Sequence, residues 1–253
     1  MTEERVLQDW MTFAEKLGRI GYEIFDTASV KVTEKGFADV KILALALLAR
    51  TTSNLKGALI LLAENRIVEA RTITRCVFEN QFWVVGLLEE GDKFATRMLH
   101  DEMSRRKGRS ELIFQHVELD NEVETKLREY LKNTKKDFNK AKTLNPKEVA
   151  SMGALANTYI FYGQLSSDSA HPSVDALNRY IVSHFEDDID GIDVEPKVKV
   201  SEKTDTVDLL SLAVIGVYVA VNQVLHGAGN GYDLTQTADE YSALVKMRRE
   251  LTS

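Results

Sequence analysis

The chain has 253 residues, of which 44% are hydrophobic and 28% charged, and its net charge is −7. Those values fit one globular domain with a sizeable core and exclude a disordered, collagen-like or disulfide-stapled chain. The acidic balance argues against a simple electrostatic grip on nucleic acid, and three prolines in the whole length lean towards long helices.

Apolar residues recur mostly at spacings of three and four, so helices dominate. The spacing predicts a first helix over residues 3–30, with Trp10, Phe13, Leu17, Ile20, Ile24 and Phe25 on one stripe. Gly36 breaks the chain. A second helix over residues 37–63 is apolar nearly all round between Ile42 and Leu48, which marks it as central rather than peripheral. The third, over residues 66–89, carries Ile67, Ala70, Ile73, Val77, Phe78, Phe82 and Trp83, and polar helices over 93–115 and 121–141 follow.

Asn145-Pro146 is a helix start, with proline at the first helical position. A helix over 155–167 stops before Pro172, and a further short one follows that proline. Residues 186–200 are acidic, contain Gly191 and Pro196 and alternate in polarity, so they read as a loop with a small hairpin. A long helix over 206–226 ends in the glycine-rich 227–231 stretch, and a helix over 234–249 closes the chain. With no internal repeat and no long linker, residues 1–253 form a single all-α domain, a multi-helix bundle with a small irregular insert near 186–200. The longest apolar stretches, 42–49 and 209–221, fall short of the roughly 20 residues of a membrane span, so no membrane contact and a cytoplasmic location are expected.

The glycine run follows a helix rather than a strand, which makes it a helix end and not a dinucleotide fingerprint. Cys76 is the sole cysteine and sits in an apolar run, as a small buried residue would. No pair of histidines stands in metal-ligand spacing, so neither a metal nor a cofactor is expected.

Three constellations carry chemistry. Arg71, Arg75 and Glu79 stand four apart on the apolar third helix, facing the interior or a cleft, either as an internal ion pair or as a site. Tyr162, Ser166, Ser167, Asp168, Ser169, His171 and Ser173 crowd one helix end, where His171 before Pro172 is aimed by a fixed turn. They serve either as helix caps or as an acid–base and substrate-binding group. Arg179 and His184 lie five apart, a pair that could steady phosphate charge and move a proton in a composite dimer site. Basic groups at 105–109 and 126–142 could form a phosphate-binding surface if adjacent.

The Arg75-x-x-x-Glu79 pair, Arg97, Arg105 and Arg106, and Tyr162 followed by Ser167-x-x-x-His171-Pro172-Ser173 together resemble a family of all-helical bacterial proteins of unknown function. The resemblance covers roughly residues 37–200 and implies no activity. More loosely, Arg179 and His184 resemble the Arg-x4–6-His motif of the HEPN superfamily (higher-eukaryote and prokaryote nucleotide-binding). That likeness implies a dimeric helical bundle acting as a metal-independent ribonuclease in stress or anti-phage defence. His171 or His184 would then be the acid–base and Arg75 or Arg179 the phosphate ligand. Glu79 would orient the arginine, and Arg71, Tyr162, Ser167, Asp168 and Ser173 would hold an RNA or nucleotide substrate. The alternative is a non-catalytic interaction or scaffold protein, bound to itself or another protein, with Arg75, Glu79 and His171 as an internal polar lock. A hydrolase built on His171 and Asp168 ranks last, because no nucleophile elbow is present.

Overall fold

The computed structural model describes residues 2–137, 142–182, 191–227 and 231–252. Ten α-helices account for most of them: α1 (Glu3–Thr27), α2 (Val40–Ala63), α3 (Ile67–Glu90), α4 (Asp92–His116), α5 (Asn121–Asp137), α6 (Pro146–Ala150), α7 (Tyr159–Leu165), α8 (Val174–Asn178), α9 (Val200–His226) and α10 (Thr235–Thr252). A π-helical turn, Ser166–Ala170, joins α7 to α8. Strands β1 (Ile181–Val182) and β2 (Gly191–Ile192) pair antiparallel as a two-stranded ribbon. The all-α class and the bundle architecture follow.

The core is a four-helix packing of α1, α2, α3 and α9. Trp10, Leu17, Ile24, Leu48, Leu55, Phe78, Phe82, Leu210, Val214 and Tyr218 are all fully buried in it. α2, as expected of a central helix, and α9 each pack against the other three. The apolar run of α2 between Ile42 and Leu48 buries Ala44, Leu47 and Leu48, while Ala46 and, further along, Ala49 and Ile60 face solvent.

Small residues set the close crossings. The α1 backbone at Gly21 lies so near the Tyr218 and Thr52 hydroxyls that a Cβ there would collide with both, and Gly216 of α9 is equally close to the Gln81 amide of α3. Gly91 at φ 53° ends α3 and lets α4 start at once, folding Phe94 back onto Gly86. From there α4 and α5 leave the bundle as an antiparallel helical hairpin, and α5 packs on α4.

Three sequence expectations shift. α1 stops at Thr27, not near 30. α9 begins at Val200 because Glu202 at the third helical position caps the Lys199 N–H, so the Val198-Lys199-Val200 alternation is a helix start. The hairpin is built from residues 181–182 and 191–192, and only its second strand lies inside the predicted insert.

Candidate functional site

The polar stripe of α3 meets α7 and the π-turn. Arg75 Nε donates to Ser166 Oγ at 2.7 Å, and its Nη2 donates to the Tyr162 hydroxyl at 2.6 Å. That hydroxyl donates to Glu79 Oε1 at 2.9 Å, and the same Glu79 oxygen lies 3.2 Å from Arg75 Nη2. The guanidinium also sits 4.6 Å above the Tyr162 ring centroid. One turn back, Arg71 pairs with Asp168 of the π-turn, while its Nε donates to Thr206 Oγ1 of α9 at 3.2 Å. The Arg75 and Glu79 side chains are 20% and 29% exposed, so the cluster lies below the surface without being sealed from it. Burial, and then the bond to Glu79, push the Tyr162 hydroxyl up to about 12, so at neutral pH it remains a proton donor to the carboxylate.

The π-turn explains how residues this close in sequence reach two arginines. Ser166 Oγ donates back to the Tyr162 carbonyl at 2.8 Å, and Ser169 Oγ donates to that of Leu165 at 2.6 Å. The His171 N–H closes the widened turn on the Ser166 carbonyl at 3.0 Å. Pro172 forbids further helix, and His171 takes extended angles (φ −117°, ψ 143°). Ser173 then caps α8 through the Ala176 N–H at 3.1 Å and donates to the Ser167 carbonyl at 2.6 Å.

The expected Arg–Glu–His set is therefore corrected. Arg75 and Glu79 meet, but His171 points outward, is exposed, and makes no side-chain hydrogen bond with any described residue, because the extended residue before Pro172 turns it away. Ser167 is exposed and contributes only its carbonyl; its neighbour Ser166 reaches Arg75. Asp168 is an ion-pair partner rather than a cap.

Arg179 is corrected as well. It caps the end of α8, and its Nη1 donates to Glu202 Oε1 at 2.8 Å. His184 lies outside the described residues. Burial alone would raise the Glu202 carboxyl, but the Arg179 bond, the Lys199 N–H and the Arg179 and Arg71 charges together hold it below its ordinary value. Thr206 Oγ1 donates to the Glu202 carbonyl at 2.8 Å while accepting from Arg71, so one polar chain runs from Asp168 through Arg71, Thr206 and Glu202 to Arg179. In the sequence Thr206 and Glu202 carry only a Glu-x-x-x-Thr spacing, and Glu202 lies ahead of the helix expected over 206–226.

The two basic groups are neighbours, as α4 and α5 pair. Five of these cations, however, have an acid on their own helix: Arg105 with Asp101, Arg106 with Glu102, Lys107 with Glu111, Lys126 with Glu122 and Arg128 with Glu124. A cavity of about 470 Å³ opens between the α2–α3 turn and residues 194–198. Its cations Arg66, Arg179 and Lys197 are matched by Glu64, Glu69 and Glu195. Among the described residues no group of three or more His, Cys, Asp or Glu side chains is placed to hold a metal ion.

Comparison with known families matches residues 41–190 to a family described as "Family of unknown function (DUF5677)". The matched span holds α3, α7 and the π-turn, both sides of the polar seam, but not Glu202 or Thr206. No curated protein and no solved structure matches the chain.

Proposed function

We propose that this chain, which belongs to that family of unknown function, is a non-catalytic helical interaction protein of the cytoplasm, with the α3–α7 polar cluster as its internal lock. One observation carries the reading: the arginines singled out for phosphate are already engaged. Arg71 is held by Asp168, Arg75 by Ser166, Tyr162 and Glu79, and Arg179 by Glu202, while His171 stands apart from all three. An ion pair below the surface is costly to open on one side only, so these contacts favour holding α7, the π-turn and α8 against the bundle. The held segment displays Ile160, Val174 and Leu177, large apolar side chains in solvent, as an interaction surface would.

A second reading keeps the HEPN-like module acting on RNA or a nucleotide in stress or anti-phage defence. The π-turn favours it, because such turns gather at functional sites. So do Arg71 Nη2 and Arg75 Nη1, which make no hydrogen bond to any described residue and stay open to a phosphate.

The test incubates purified protein with total RNA in EDTA, beside Arg75→Ala, His171→Ala and His184→Ala variants. The interaction reading expects intact RNA in every tube and a loss of thermal stability in Arg75→Ala alone. Cleavage by the parent chain that disappears in His171→Ala or His184→Ala overturns it in favour of the ribonuclease.

A further inference from the structure

Another cavity, of about 330 Å³, opens where α4 meets the segment that leads into α6. Arg97 and His100 of α4, both half-buried, and the buried Leu144 form its inner wall; Lys142, Thr143 and Glu148 form an exposed rim. The volume falls within the range of small-molecule sites. Both walls are held from behind. The Leu144 N–H donates to Asp101 Oδ1 at 2.7 Å, which fastens residues 142–144 to α4 one turn from Arg97. Arg97 has three fixed contacts. Its Nη1 donates to Glu90 Oε2 at 3.0 Å and lies 3.9 Å from the Met152 sulfur, and its guanidinium carbon stands 5.4 Å from the centroid of the buried Phe94 ring. Its Nε and Nη2 make no hydrogen bond to any described residue. A guanidinium already ordered in this way meets an anion at little further cost in side-chain entropy.

Charge here is out of balance, unlike that of the larger cavity. Glu90 behind Arg97 is shared with Lys93, whose Nζ lies 3.2 Å from its other oxygen. The Lys142 ammonium and the Thr143 hydroxyl have no partner among the described residues. Arg97 and Lys142 therefore bring two fixed positive charges to the lining and His100 an imidazole, against the single carboxylate of Glu148.

We propose that this cavity binds a small phosphate monoester that also carries hydroxyl groups, of the sugar phosphate type. The donors select the occupant. A phosphate monoester presents nearly two negative charges and three acceptor oxygens. Arg97 from α4, and Lys142 and Thr143 from the facing segment, approach from two elements, as three divergent oxygens require, whereas a planar carboxylate is satisfied by one guanidinium edge. Glu148 repels a bare phosphate, but on an ester it accepts from a hydroxyl of the attached carbon chain, which Leu144 offers an apolar wall. The site goes beyond the interaction reading and shares no residue with the α3–α7 lock.

Calorimetric titration of the full chain with ribose 5-phosphate, to about 10 mM, brackets a site of millimolar or tighter affinity. The expected result is saturable binding that moves the amide resonances of Thr143 and Leu144, weakens about tenfold in Lys142→Ala and is unchanged in Lys197→Ala of the larger cavity. Lys142 is exposed, so its loss leaves the fold intact. Inorganic phosphate should bind about fivefold more weakly than the ester, and Glu148→Gln should remove that preference. No saturation by the ester overturns the proposal, as does binding indifferent to Lys142→Ala. Inorganic phosphate bound as tightly as the ester by the parent chain overturns the assignment of a hydroxylated ester. Succinate bound as tightly overturns it in favour of a carboxylate ligand. None of these results touches the lock, which stands or falls with the RNA assay above.

Discussion

The α3 seam and the α4–α5 hairpin use the same residue types, arginine or lysine against aspartate or glutamate, to opposite effect. On the hairpin Arg106–Glu102, Lys107–Glu111, Lys126–Glu122 and Arg128–Glu124 each close within one helix at i,i+4 and lie in solvent. On the seam the partners are about 90 residues apart in sequence, as in Arg75–Tyr162 and Arg71–Asp168, and are mostly below the surface. Local pairs trim helix stability by tenths of a kilocalorie and leave tertiary structure alone. Distant, half-buried pairs decide where an element docks, because losing one partner strands the other out of water. Charge composition cannot tell the two regions apart, but their hydrogen-bond partners can.

The comparison breaks most visibly at Arg75. Arg75→Ala leaves Glu79 and the Tyr162 hydroxyl without their shared donor and should cost roughly 2–3 kcal/mol. In a chain of this length that lowers the melting temperature by about 4–10 °C in a calorimetric scan. Tyr162→Phe keeps the packing against Phe82 but removes the link between guanidinium and carboxylate. A loss of about 1–2 kcal/mol is expected from the urea midpoint at unchanged slope.

Glu202→Gln should cost about 1 kcal/mol at neutral pH, and its sign with pH is fixed. The Glu202 carboxyl is held below its ordinary value of 4.5, so the folded state favours the ionised form. That stabilisation is complete above the ordinary value and is lost as pH falls through the lower folded one. Urea midpoints of parent and variant should therefore differ at pH 7 and converge as the pH falls through and below 4.5. Smallest of all, Lys126→Ala on the hairpin, which removes an exposed i,i+4 pair with Glu122, should change stability by under about 0.5 kcal/mol. A shift there as large as that of Arg75→Ala would erase the distinction between the two regions.

Much of the fold was legible in the sequence because long helices announce themselves by period: the stripe of Trp10, Phe13, Leu17, Ile20 and Ile24 is the buried face of α1. Boundaries were less legible where a side chain caps from outside the apolar pattern, as Glu202 does for Lys199. The apolar run of Ile42 to Leu48 rightly marked α2 as a core helix, one that packs on α1, α3 and α9. At the site, the four-residue spacing brought Arg71, Arg75 and Glu79 to one stripe, and the crowded Tyr162–Ser173 run did meet it. The widened π-turn exchanged Ser167 for Ser166 and sent His171 outward. One extra residue in a helical turn leaves no trace in hydrophobic period, so spacing alone had no means of finding it.

The most direct test of the lock is a double-mutant cycle in urea with Arg75→Ala, Glu79→Ala and both together. A structural cluster predicts that each single change destabilises and that the two are coupled by about 1–2 kcal/mol. Full parental stability in both single variants, with coupling indistinguishable from zero, would contradict it and return Arg75 and Glu79 to a ligand.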